Sequence, residues 1–136
     1  MEAFPAPISH ISEFDGFYAI SFGNCVSIYK IHRTLHYLCN KDQEPIIKFF
    51  RSFRISIPIK ASFILTSPLF SIAIIDNANI RTYSINGQFI KKIASNAKNY
   101  GRFIDSEMQD VIYTVEEDRI VCFSTPDLRS VSILEL

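Results

Sequence analysis

The chain has 136 residues, 48% of them apolar, with 14 cationic side chains against 14 anionic ones. That is one domain's worth of chain, too short for two independent enzyme lobes. With no net charge to gather around a polyanion, the composition argues against sequence-independent nucleic-acid binding as a main activity.

The apolar residues are unusual in kind. There are 22 Ile and 12 Phe, together a quarter of the positions, and no Trp. Such a composition favours pleated sheet over helix. Residues 1–9 carry an acid at position 2 and no apolar run, so no secretory leader is expected. The longest apolar stretches, such as 70–75, fall far short of the roughly 20 residues of a spanning helix. Three cysteines, Cys25, Cys39 and Cys122, with no CxxC pair, read as small buried hydrophobes, neither a disulfide framework nor a zinc site. A cytoplasmic location is the expectation.

Apolar residues then recur with period 2 between polar turns, the mark of half-buried strands. The predicted strands are 7–14, 17–22, 25–31 and 35–39; 61–66, 70–75, 79–85 and 88–93; and 101–105, 110–115, 119–124 and 128–133. Turn chemistry sits between them at Asp15-Gly16, Gly23-Asn24, Asp76-Asn77, Asn86-Gly87, Glu116 to Asp118 and Pro126-Asp127. Asn86-Gly87 is the strongest hairpin signal, because both residues tolerate the positive φ of a type I′ turn.

The pattern repeats. The third strand of each set carries an aromatic, Tyr29, Tyr83 and Phe123, at spacings of 54 and 40 residues. Counting back to the second strand gives 12, 13 and 12 residues, to Phe17, Phe70 and Val111. Counting forward gives 6, 6 and 5, to Leu35, Phe89 and Leu128. Four antiparallel strands repeating every 40 to 50 residues is the signature of a β-propeller blade. The expected fold is all-β: about three four-stranded blades of an incomplete WD-like propeller, in units of about 7–40, 46–94 and 95–136. In each, the second and third strands are expected to be buried on both faces.

Segment 40–60 interrupts the series. NKDQEP at 40–45 reads as an exposed loop. Ile46, Phe49, Phe50 and Phe53 have helical spacing, whereas Ile55, Ile57 and Ile59 alternate as in a strand, so 46–60 is either one irregular outer strand or a short helix before a strand. Three units cannot close a ring that needs four to eight. The chain is therefore expected to be part of a longer propeller, a truncated product, or a partial ring that completes itself by oligomerising, and blade faces left open would expose Ile and Phe, a liability to association.

Tyr83-Ser-Ile-Asn-Gly-Gln-Phe-Ile90, entered through Leu65-Thr-Ser-Pro-Leu-Phe70, resembles a blade in the C-terminal WD-repeat propeller of BEACH-domain, neurobeachin-like proteins. Residues 103–136, with the connector Pro126-Asp127-Leu128, resemble the next blade. The chain departs from the family pattern in having no Trp-Asp strand ending, no Gly-His before a blade and no BEACH domain. The resemblance implies a scaffold module with protein partners, acting in vesicle trafficking or membrane dynamics. It also implies peripheral membrane association through the parent protein, and it transfers no catalytic residue. The alternatives are a propeller scaffold of another cytoplasmic assembly, and an enzyme on a β-repeat whose site the sequence does not display.

No catalytic, cofactor-binding or metal-ligating residue is assigned, and no small-molecule substrate or nucleic-acid partner. His32 and His36 would pair on a helix, but their region reads as strand and turn with no acidic third ligand; His10 stands alone. Glu116, Glu117 and Asp118 read as a solvated hairpin tip, and Asp105 with Glu107 as a loop. Lys48, Phe49, Phe50, Arg51, Phe53, Arg54 and Lys60 mix cations with aromatics. They read as an outer element with an apolar inner face, more readily than as a membrane or nucleic-acid surface. Lys91, Lys92 and Lys98 read as edge protection.

Overall fold

A computed structural model describes residues 6–32, 46–95 and 97–135. Among them are twelve strands and no helix. The strands are β1 (Ile8–Phe14), β2 (Phe17–Phe22), β3 (Cys25–His32), β4 (Ile46–Arg54), β5 (Ala61–Leu65) and β6 (Ser71–Ile75). They continue with β7 (Asn79–Ser84), β8 (Phe89–Ala94), β9 (Asn99–Ile104), β10 (Asp110–Val115), β11 (Arg119–Ser124) and β12 (Ser130–Glu135). They form three four-stranded antiparallel sheets, β1 to β4, β5 to β8 and β9 to β12, each pairing its strands in chain order. Three repeated sheets thus stand as the sequence periodicity implies.

The second-unit boundary moves. Residues 46–54 pair with β3, Tyr29 opposite Phe49 and Ile31 opposite Ile47, so this strand completes the first sheet instead of opening the second. The predicted strand 35–39 lies outside the described residues. The helical spacing at 46–53 has a local cause. The register slips between Ile28 and Tyr29, leaving Phe50 without a partner residue on β3. A β-bulge reverses the alternation, and two strand periods joined out of phase imitate a helical one. Ile55 to Ile59 form no strand. They run as a connector held under the Gly23-Asn24 turn by Ile55 N–H to Asn24 O (2.9 Å) and Ile59 N–H to Gly23 O (2.7 Å).

The same bulge recurs in each sheet immediately before the repeat aromatic: Ile28/Tyr29, Thr82/Tyr83 and Cys122/Phe123. Turn types differ from expectation. Asp15 and Gly16 both have positive φ (53° and 80°), as a type I′ hairpin requires. At Asn86-Gly87 only Gly87 does (91°), and Gly87 N–H donates to Ser84 O. That is a type I turn closed by a glycine bulge.

The middle sheet lies between the other two. Ile64, Ile72 and Ile74 point to the first sheet and form one core with Ala19, Val26, Ile28 and Phe53. Ala61, Phe63, Leu65, Ala73, Ile75 and Ile80 point the other way, to Ile112 and Leu128 of the third. Burial of an Ile side chain contributes about 1.5–3 kcal/mol, and Ile28, Ile64, Ile72, Ile74, Ile80 and Ile112 are all fully buried. The strands buried along their whole length are β5 and β6. β7, expected to be buried on both faces, alternates instead, with Arg81 and Tyr83 half-buried. The first strand of the unit, not the third, takes the covered place, because β5 packs against β1 and β2.

Candidate functional site

Side chains on directly opposed residues of an antiparallel pair share a face, so the register assigns every strand position to one of two faces. In the first sheet, Phe17, Ala19, Ser21, Val26, Ile28 and Phe53 face the middle sheet: Ser21 Oγ lies 2.8 Å from Ser62 Oγ, and Phe17 packs edge-on to Phe70. The opposite face carries Ile11, Tyr18, Ile20, Tyr29, Ile31, Ile47 and Phe49. Ile11, Ile47 and Phe49 are 55%, 53% and 60% exposed.

The third sheet is open on its other side. Tyr100, Ile112 and Phe123 face the middle sheet. The outward face carries Phe103, Val111, Tyr113, Val115, Ile120, Cys122 and Leu134. The remaining residues in that register, Asn99, Gly101, Ser124 and Ser132, are uncharged, so the face holds no ionisable pair of either sign. A solvated sheet face would alternate apolar with charged residues. The Tyr113 ring covers Gly101: a Cβ there would lie 2.5 Å from the Tyr113 hydroxyl oxygen.

The charges are instead tied into junctions and turns. Asp110, fully buried, accepts the Thr66 and Ser67 amide N–H groups at 2.7 and 3.1 Å and pairs with Arg102. The Arg102 guanidinium lies over the Phe14 ring at 3.9 Å, so one buried ion pair ties the third sheet to the β5–β6 loop and to β1. Asp76 accepts the Ala78 and Asn79 amides and pairs with Arg81. This is the local backbone capping expected of the β6–β7 turn. Burial pushes the Tyr83 and Tyr100 phenols upward in the two inter-sheet cores.

The residues weighed from the sequence are dispersed. His10 packs edge-on to Phe63 at 5.2 Å, its Nδ1 accepts the Ser62 N–H at 3.4 Å, and burial lowers its pKa below 6.5. The His32 side chain, His36 and Cys39 lie outside the described residues; Cys25 is buried and Cys122 half-buried. Asp105 accepts the Glu107 and Gln109 amides as a turn cap. Lys98, Glu116, Glu117 and Arg119 line an open depression of about 440 Å³, with Lys98 paired to Glu117 and Arg119 to Glu116. Among the described residues, no three His, Cys, Asp or Glu side chains gather as metal ligands. No described helix is long and apolar enough to cross a membrane.

The mixed basic and aromatic cluster of 48–60 is split by the β4 pleat. Phe50 stacks with Phe17 and Phe70 and Phe53 with Tyr83, toward the middle sheet, while Phe49 points outward to Tyr29. Arg51 donates to Asn86 O at 3.2 Å. Lys91 and Lys92 are exposed on β8, the last strand of the middle sheet. The individual residues of the open faces escape sequence reading, because their period-2 pattern is the same as that of the covered faces.

No family model matches the chain, and no curated protein matches it. Among solved structures it is similar to a protein of unknown function from Bacteroides caccae, with a TM-score of 0.50 and 8% identity over 96% of this chain and 61% of that one. The chain therefore spans less than two thirds of that protein's length, and a likeness at 8% identity is one of fold alone.

Proposed function

We propose that the chain is a non-enzymatic protein-interaction module, three blades of an incomplete WD-like propeller whose end faces bind protein. The observation that carries this reading is the pair of uncovered apolar faces on the first and third sheets, in a fold whose two internal interfaces bury the same kind of face. Exposed apolar patches of this kind mark interaction surfaces. Among the described residues, the ion pairs serve sheet junctions and turns.

The parent is proposed to be a BEACH-type scaffold in vesicle trafficking, cytoplasmic and peripheral to membranes, on the strength of the Tyr83–Ile90 phrase. A coding sequence with a BEACH domain immediately upstream supports that parentage, and an upstream region without one removes it. The second reading is a propeller scaffold of another assembly.

The interaction reading is tested with a photo-crosslinking amino acid in place of Phe49, Phe103 or Glu117, expressed in the native host. Protein adducts are expected at Phe49 and Phe103 and not at Glu117, on a solvated turn. Equal yields at all three contradict the reading.

A further inference from the structure

We propose that Asn86, at the tip of the β7–β8 hairpin, is a site of self-modification: its side-chain amide is lost to attack by the Gly87 nitrogen, at a rate set by the closed turn. The proposal is independent of the interaction reading.

The chemistry lies in the residue pair. Asn86 is followed by glycine, whereas Asn24, Asn40, Asn77, Asn79, Asn96 and Asn99 precede larger residues. The attack swings the next amide nitrogen onto the Asn side-chain carbon, and glycine alone brings no Cβ into that swing. Both residues are exposed. The Gly87 nitrogen bonds to Asn86 Cγ and gives its proton to water, while the Cγ–Nδ2 bond breaks and ammonia leaves. Water then opens the cyclic imide. Cleavage on the Cγ side leaves aspartate at position 86. Cleavage on the main-chain carbonyl side leaves isoaspartate, with the backbone lengthened by a carbon. Water is the co-reactant, and nothing is oxidised or reduced.

The fold holds the reaction back. Gly87 N–H donates to Ser84 O at 2.9 Å, so the nucleophile is occupied while the turn is closed. Arg51 of β4 clamps the tip from the first sheet, donating from Nη1 to Asn86 O at 3.2 Å. A Cβ on Gly87 would meet Phe53 Cε1 at 3.7 Å and Arg51 Nη1 at 3.9 Å, so the tip lies against that sheet. Attack therefore waits for local opening, which costs less than global unfolding. The product then changes the clamp. In isoaspartate the former main-chain carbonyl is the free carboxylate, so the oxygen that Arg51 holds becomes anionic. A carboxylate also offers a second oxygen to Arg51, whose Nε is buried without a hydrogen-bond partner among the described residues. Hydrogen bonds between opposite charges are the stronger kind.

The test is peptide mapping by mass spectrometry of the full chain, aged in mildly alkaline heavy-oxygen water, both folded and in urea. Heavy oxygen is expected at position 86, as aspartate and isoaspartate, ahead of Asn77, which is exposed but followed by Ala78. The folded chain is expected to react about tenfold slower than the chain in urea, or slower still. Arg51→Gln, checked for sheet content by circular dichroism, is expected to speed the folded reaction and leave the urea rate unchanged. In urea, where folding plays no part, Gly87→Ala is expected to slow conversion at Asn86 to the rate at Asn77. Conversion at Asn77 as early as at Asn86, or no effect of Gly87→Ala, overturns the site. Equal rates for the folded chain and the chain in urea overturn control by the closed turn. A folded Arg51→Gln chain that ages like the wild type overturns the clamp.

Discussion

Tyr29 and Phe49 stand opposite each other on β3 and β4 with their rings 5.7 Å apart, and Tyr83 and Phe89 repeat the pair on β7 and β8 at 5.8 Å. Both pairs follow a bulge at the same step of the third strand. Tyr29 and Tyr83 are both half-buried, Tyr83 against the core shared with the first sheet, and Phe49 and Phe89 are 60% and 59% exposed. One local design therefore recurs in two sheets, with the third-strand tyrosine half-buried and the fourth-strand phenylalanine exposed in each. Edge-to-face aromatic pairs contribute about 0.5–1.5 kcal/mol beyond their burial.

Ile74→Asp is predicted to destabilise the fold by more than about 3 kcal/mol, because Ile74 is 0% exposed in the core between the first two sheets and an unpaired charge there has no partner. Glu117→Lys, at an exposed turn, is predicted to change stability by about 0.5 kcal/mol or less. Urea unfolding of both variants checks this, and equal midpoints would show that the middle sheet is not sandwiched.

Asp110→Ala removes the acceptor of two amides and strands Arg102 beside Phe14. Breaking one side of a buried pair costs about 3–5 kcal/mol, and that loss is predicted here. Asp127, paired at 3.5 Å with a largely exposed Arg129, is predicted to lose about 0.5 kcal/mol or less on the same change. Chemical denaturation in low and high salt separates them: only the small Asp127 effect is screened away.

The His10 pKa is lowered by burial, so the folded state holds the neutral ring while the unfolded chain takes up a proton near pH 6.5. Where the unfolded state binds more protons, stability rises with pH. The contribution is fully present above pH 6.5 and is lost as the pH falls from there through the lowered folded value. His10→Gln is predicted to flatten that part of the pH–stability curve between pH 7.5 and 5.5. An unchanged slope in the variant would contradict it.

Gly101 and Tyr113 are predicted to be coupled. Gly101→Ala forces the Tyr113 ring off its place and costs about 1 kcal/mol, the price of an off-rotamer aromatic. In a Tyr113→Ala background the same change is neutral or stabilising, since alanine is the better strand residue. A double-mutant cycle by thermal unfolding reads the interaction directly, and simple additivity would contradict it.

Much of the fold is legible in the sequence because period 2 and turn residues report strands and hairpins locally. The offsets around Tyr29, Tyr83 and Phe123 reveal the repeat because each lies one step after a bulge in a sheet of the same length. The failures have physical causes. Phe50 is an inserted residue, and one insertion turns strand spacing into helical spacing. Ile55 and Ile59 alternate because a connector must seal the base of a core, a demand made by tertiary packing. The open faces could be foreseen as a kind from the count of three units. Their members could not, since Tyr29 and Tyr83 have the same local sequence signature. The Asp110–Arg102 pair joins residues 8 apart across a hairpin and two amides 43 and 44 residues away, and no local pattern announces it.

The central claim is that the end faces are covered when the protein acts. Hydroxyl-radical footprinting of the chain in its native assembly, compared with the surface-broken Ile11→Lys/Phe49→Lys and Phe103→Lys/Leu134→Lys variants, tests it most directly. Tyr29 and Tyr113 are predicted to be protected in the assembly and reactive in the variants. Met108, 70% exposed at a turn, is predicted to react equally in all of them. Tyr29 and Tyr113 reacting as freely in the native assembly as in the variants would contradict the claim.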